Sequence, residues 1–196
     1  MRIEEEIKLD YSDVLFRPKR STLKSRKDVD LNRKYTFKHS RSSWKGIPII
    51  ASNMDGVGEI DVAKKLSSHK LMTALTKQHD INQIGTIYKK NIFFDSIALS
   101  CGTSKDSYNR LNSILKKYPK FKFICIDVAN GYSENFSNFV SEVRKKYPKK
   151  TIIAGNVVTA DMTQELVLSG ADIVKVGIGP GSVCTTRIQT GVGYPQ

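Results

Sequence analysis

The chain has 196 residues, 39% hydrophobic and 26% charged, an ordinary globular composition with enough apolar material for one domain with its own core. No stretch approaches the roughly 18 consecutive apolar residues of a membrane helix, and the acidic start Met1-Arg2-Ile3-Glu4-Glu5-Glu6 lacks the apolar run of a signal peptide, so no membrane association and a cytoplasmic location are expected. The net charge of +13 is carried by lysine clusters such as residues 115–120 and 144–150, which read as solvated helix ends where cations suit the dipole; nucleic-acid binding is the alternative, without a groove-reading motif to support it.

The elements follow in chain order. A strand is expected at 47–51, followed by Asn53-Met54-Asp55, then a helix at 61–69. The strand at 71–75 leads into Lys77, and the strand at 96–100 into Cys101-Gly102-Thr103. A helix at 106–118 carries Tyr108, Leu111, Ile114 and Leu115 at helical spacing. The strand at 122–126 runs into Asp127-Val128-Ala129-Asn130-Gly131, the helix at 134–147 follows, and the strand at 151–154 precedes Gly155-Asn156. A helix at 160–169 and a strand at 172–176 lead to the glycine-rich segment 177–193. Most of these strands are near-continuous apolar runs, as for strands covered on both faces, and strand–helix alternation means parallel pairing through crossovers. The spacing of roughly 25–30 residues per unit fits a parallel (β/α)8 barrel, with an open doubly wound sheet as the alternative. Polar and glycine-rich residues gather behind the strands, where a barrel builds its active face.

Three cysteines, Cys101, Cys125 and Cys184, are an odd and sparse count without metal-type spacing, which argues against a disulfide framework or a zinc site. Cys125 sits mid-strand and reads as core; Cys101 ends a strand and is ambiguous. Cys184 closes the loop Gly177-Ile178-Gly179-Pro180-Gly181-Ser182-Val183-Cys184-Thr185-Thr186-Arg187. Three alternating glycines bare the backbone toward a ligand, so the thiol reads either as a nucleophile or as a structural residue closing a tight turn.

That loop, followed by Thr190-Gly191-Val192-Gly193-Tyr194-Pro195-Gln196, resembles the catalytic loop of the IMP dehydrogenase/GMP reductase family. Leu9-Asp10-Tyr11-Ser12-Asp13-Val14-Leu15, Asn53-Met54-Asp55, Asp127 to Ser133 and Ala154 to Ala160 extend the resemblance over essentially the whole chain. Phe16 to Arg26 and the ending Gly193-Tyr194-Pro195-Gln196 resemble the GMP-reducing branch. So does the absence of room for a regulatory insert between Lys77 and the third strand. An IMP dehydrogenase lacking its insert, or an inactive barrel that only binds partners, are the alternatives. Two positions depart from the family pattern: Gly56 stands where threonine is usual, and Thr76-Lys77-Gln78-His79 replaces a more common His-Lys-His.

The resemblance implies an NADPH-dependent deamination of GMP to IMP and ammonia, with Cys184 as nucleophile and Thr186 assisting proton transfer. It places NADPH contacts at Ser25, Arg26, Lys77, Asp127, Val128, Ala129, Ile178 and Gly179. It also implies a monovalent cation, potassium, on carbonyls of Gly179, Gly181 and Cys184, and a homotetramer. From the residues alone, Arg26 and Lys77 equally suit solvated loop cations, and Asp127 a helix N-cap. Residues 1–196 are expected to form a single incomplete barrel domain of six units, without an inserted regulatory domain and poorly stable alone.

Overall fold

A computed structural model describes residues 3, 5–9, 11–89, 94–181 and 183–195. Met1, Arg2, Glu4, Asp10, Ser182 and Gln196, quoted in the motifs above, lie outside the described residues. The chain opens with an exposed arm carrying two short 3-10 turns, Tyr11–Asp13 and Arg26–Asp28. A hairpin follows, β1 (Arg33–Thr36) against β2 (Ser43–Gly46). The parallel sheet then begins, with strands in sequential order: β3 (Ile50–Ala51), β4 (Met72–Leu75), β5 (Ile97–Cys101), β6 (Phe123–Asp127), β7 (Thr151–Val157) and β8 (Ile173–Val176). The connecting helices are α1 (Ile60–Ser68), α2 (Ile81–Lys89), α3 (Lys105–Lys117), α4 (Glu134–Lys146) and α5 (Ala160–Leu168). A short α6 (Thr186–Thr190) ends the series.

This is a curled six-stranded parallel sheet clad in helices, a partial (β/α) barrel, as the alternation predicts. All six expected strands form within a few residues of their expected bounds. The first is shorter: Ile47 N–H already reaches the Lys70 carbonyl (2.8 Å), but Pro48 has no N–H to give and Ile49 N–H turns back to the Ile47 carbonyl (2.7 Å), so the regular ladder starts at Ile50. Helix α2 and the β1–β2 hairpin carry no expectation from the sequence patterns.

Alternation along each strand divides the core in two. Outward residues such as Ile97, Leu99, Ile124, Ile126, Ile152 and Ala154 meet the helices through Leu111, Ile114, Val140, Val143 and Leu166. Inward residues Met72, Ala74, Ala98, Phe123, Cys125 and Ile153 form a second cluster inside the curl. The hairpin seals it from below with Phe37 and Trp44. Phe37 meets Phe123 edge-on, with ring centroids 5.7 Å apart.

The hairpin is docked by one carboxylate. The Asp172 side chain is fully buried and accepts from His39 N–H (2.8 Å), Ser40 N–H (3.3 Å), Ile152 N–H (3.2 Å) and Arg144 Nη2 (2.6 Å). Arg144 also donates to the carbonyls of Gly170, Tyr147, Pro148 and Lys150. Burial lowers the Arg144 pKa while Asp172 opposes that shift.

The lysine clusters fall where helices end, as expected. Lys116 and Lys117 close α3, and Arg144, Lys145 and Lys146 close α4. Several lie over aromatic rings, Lys146 over Tyr108 at 5.0 Å and Lys120 over Tyr88 at 5.6 Å.

Candidate active site

The sheet delivers its polar residues to one rim. At the ends of β6, β7 and β8 the register aligns Asp127 with Gly155 and Gly155 with Lys175. These lie in the inward series above Cys125, Ile153 and Ile173, so the open end of the curl is polar over an apolar floor. The turn after β6 is clamped to β7. Val128 N–H donates to the Gly155 carbonyl (2.9 Å), Asn156 N–H to the Val128 carbonyl (2.9 Å) and Gly131 N–H to the Asn156 carbonyl (2.8 Å). A Cβ on Gly131 would sit 2.8 Å from that last oxygen, so this close approach requires glycine.

Lys77, Asp127, Val128 and Ala129 line a single cleft of about 560 Å³ together with Gly102, Thr103, Ser104 and Ser107. Lys77 is exposed on its rim, and its loop is anchored by the buried His79. The His79 Nε2 lies 3.2 Å from the Gly58 carbonyl and 3.3 Å from Glu59 Oε2, and Arg110 donates to the His79 carbonyl. Asp127 is the last residue of β6, and α4 is capped by Ser133, whose Oγ accepts from Phe136 N–H (3.3 Å). Asp127 is therefore not a helix cap; its carboxylate is held by Lys175. The Gly102 N–H is engaged by Ser107 Oγ (2.9 Å), so the groups that could hold part of a dinucleotide in this cleft are the exposed Lys77 ammonium and the Asp127–Ala129 turn.

The thiol loop stands beyond β8. Gly179 has φ +58°, and a Cβ there would meet Arg187 Cγ at 2.8 Å; on Gly193 it would meet the same atom at 2.4 Å. Both glycines thus wrap the Arg187 stem, and Tyr194 N–H closes the loop on the Ile178 carbonyl (2.9 Å). Cys184 is a free, partly exposed thiol directly before α6, and its N–H donates to the Gly181 carbonyl (3.1 Å). Hydrogen bonds from the Thr186 hydroxyl and backbone lower its pKa, with a smaller contribution from the Arg187 charge. Burial moves the other two thiols the opposite way, Cys101 up to about 12 and Cys125 up to about 11. Of the three, only Cys184 has its thiolate favoured.

The remaining expected residues fall elsewhere. Ser25 and Arg26 lie on the exposed arm, where Ser25 Oγ accepts from Lys27 N–H (3.2 Å) and Ser25 N–H donates to Asp28 Oδ2 (3.0 Å). Neither is among the residues lining the Lys77–Asp127 cleft. Ile178 is buried under the thiol loop. The Gly181 carbonyl, expected as a potassium ligand, accepts from both Cys184 N–H (3.1 Å) and Arg187 Nη2 (3.1 Å). Gly56, the departure from the family pattern, has φ +75°, a conformation threonine resists.

Sequence reasoning passed over Lys175, and placed Asn156 behind its strand without giving it a role. Lys175 Nζ bonds Asn53 Oδ1 (3.0 Å) as well as Asp127, and Asn156 Nδ2 donates to the Gly177 carbonyl (2.9 Å). Among the described residues, Asn156 Oδ1 is buried without a hydrogen-bond partner. A lysine inside an otherwise apolar strand run was the available signal for the first.

Barrel strands, a polar rim and an activated thiol behind a glycine-rich turn define the class. The chain belongs to the IMP dehydrogenase / GMP reductase family, whose domain model matches residues 8–196. It is 56% identical over 198 residues to the GMP reductase of Yersinia enterocolitica serotype O:8 / biotype 1B, and 55% to that of Escherichia coli O139:H28. Each match takes in 100% of this chain and 57% of the relative, so the chain spans little more than half the length of these proteins. Among solved structures it is similar to the inosine 5' monophosphate dehydrogenase from Legionella pneumophila. The TM-score there is 0.78 and the identity 29%, covering 96% of this chain and 56% of that one.

Proposed function

We propose that the full-length protein is a GMP reductase that converts GMP to IMP and ammonia with NADPH as reductant. The observation that carries this reading is identity of 53–56% across the whole chain to proteins named GMP reductase, against 29% to the dehydrogenase. The Cys184 geometry is consistent with it. Thr186 holds the thiol toward its thiolate form, and the thiolate attacks carbon 2 of the guanine ring. The exocyclic 2-amino group takes up the proton given up by the thiol and leaves as ammonia, with the purine held on Cys184 as a thioimidate. NADPH, when bound, supplies the hydride for carbon 2; the Cys184 thiolate then departs and IMP is released. Thr186, two residues from the sulfur and favouring its thiolate, is placed to relay that proton from the thiol to the leaving amine.

Within this reading Lys77 takes a phosphate of the dinucleotide and the Asp127–Ala129 turn orients its sugar. Ser25 and Arg26, away from that cleft, contribute to the cofactor only if the arm is brought to it, in this chain or across a homotetramer. Potassium at Gly179, Gly181 and Cys184 requires Arg187 to release the Gly181 carbonyl, and no step is assigned to it. A cytoplasmic location belongs to the same proposal.

The test is Cys184→Ser in the full-length protein, with NADPH oxidation measured in parallel with direct GMP binding. Turnover is expected to vanish while GMP binding survives; retention of more than a few per cent of the rate sinks the covalent role. Accumulation of XMP from IMP and NAD as the dominant activity would instead establish the dehydrogenase.

A further inference from the structure

Lys175 is an inward-facing cation in a strand whose other inward residue, Ile173, packs on the apolar interior of the curl. In register it stands beside Gly155, which stands beside Asp127. Strands lie about 4.8 Å apart, so Asp127 is two strands, roughly 10 Å, from the Lys175 backbone, close to the reach of an extended lysine. Gly155 makes the crossing possible. A Cβ at that position would lie 2.5 Å from the Lys175 carbonyl oxygen and 2.7 Å from its Cβ, so only glycine leaves the path open. The ammonium lands on the Asp127 carboxylate, and a second bond (3.0 Å) reaches Asn53 Oδ1 in the loop after β3. One side chain on the last strand thus joins the loop after the first strand of the sheet to the end of the fourth, across the mouth.

We propose that Lys175 is a positioning residue for the dinucleotide, holding the Asp127 carboxylate at one setting against the Asn53 loop and cancelling its charge where phosphates must approach. The inference rests on the assignment of the Lys77–Asp127 cleft to NADPH. An uncompensated carboxylate on the wall of that cleft repels an anionic dinucleotide. With both side chains about a quarter to a third exposed, the pair is open enough to face a ligand and closed enough to be weakly screened. Lys175 itself does not line the cleft, so its effect passes through Asp127.

The experiment uses the full-length protein with Lys175→Met, Lys175→Arg, Asp127→Asn and the double variant Lys175→Met/Asp127→Asn. NADPH binding is followed directly by its fluorescence, and kcat and KM are measured for NADPH and GMP. Lys175→Met should weaken NADPH binding and raise its KM about tenfold, the scale of one charge-assisted hydrogen bond, with kcat and the GMP KM much less affected. Lys175→Arg should recover most of the loss. In the Asp127→Asn background, Lys175→Met should add little, because no charge remains to cancel. A fastening of the sheet without a role toward the cofactor would lower thermal stability while leaving NADPH affinity unchanged, and that result overturns the proposal. If Lys175→Met fails to fold, equal NADPH affinity in wild type and Lys175→Arg/Asp127→Asn, with Asp127→Asn alone also unchanged, overturns it as well. Wild-type protein that neither binds NADPH nor oxidises it with GMP removes the cofactor assignment itself. Normal wild-type behaviour with Lys175→Met binding NADPH within twofold removes only the role of Lys175.

Discussion

Replacing Asp172 by alanine should be among the most damaging single changes outside the catalytic loop. The carboxylate is fully buried and serves four donors, three backbone N–H groups and the Arg144 guanidinium, joining the hairpin, β7 and α4 at one point. Removing one partner of a buried ion pair costs about 3–5 kcal/mol, because the other charge stays desolvated. Each orphaned backbone donor adds up to about 1–3 kcal/mol, but the four share one acceptor and their losses do not sum. A net loss of about 4 kcal/mol is expected, a large share of a typical 5–15 kcal/mol stability. Asp172→Asn keeps one oxygen for His39 and Ser40 but sets an amide donor against Arg144 Nη2 and Ile152 N–H and leaves the guanidinium charge unpaired, so a loss of about 3 kcal/mol, close to that of alanine, is expected. Denaturant unfolding of the full-length variants measures both, and hydrogen exchange over residues 33–46 should show the hairpin loosening first. A loss below about 1 kcal/mol for the alanine variant would refute the view that this carboxylate docks the hairpin.

The thiols give a second expectation. Of these three thiols, an alkylating reagent at pH 7 should modify only Cys184 in the native protein, and Cys101 and Cys125 only after unfolding, as peptide mapping would reveal. The pH midpoint for Cys184 alkylation should lie below that of a free cysteine, since the thiolate is favoured and persists to lower pH; Thr186→Val should move the midpoint up. An unchanged midpoint would remove Thr186 as the activating group. Gly155→Ala should cost about 1–3 kcal/mol by overpacking against the Lys175 backbone and weaken NADPH binding alongside, and calorimetry with a binding titration checks both. Lys77→Ala should raise the KM for NADPH with little change in that for GMP; equal effects on the two would place Lys77 elsewhere.

Much of the architecture was legible in the linear sequence, because a strand buried on both faces must be apolar throughout and a parallel neighbour demands a crossover helix. The six parallel strands, four of the helices and the thiol loop follow from that. Helix α2 was legible too, though not read: Ile81, Ile84, Ile87 and Tyr88 recur at helical spacing behind Asp80 and Gln83, whose side chains cap each other's backbone N–H. The hairpin escaped because β1, Arg33–Thr36, is polar and exposed, and its docking depends on Asp172, more than a hundred residues away. For the site, the glycine-rich loop drew attention to Cys184, and the family resemblance singled out Thr186, Lys77 and Asp127. Only the curl of the sheet decided which of them share a cleft, that Arg187 occupies the Gly181 carbonyl, and that Ser25 and Arg26 lie outside the cleft. It also turned Lys175 from one residue of an apolar strand into the link between Asn53 and Asp127. Register and curvature are set by the packing of the whole sheet, and no local stretch of sequence records which side chains that packing brings within reach.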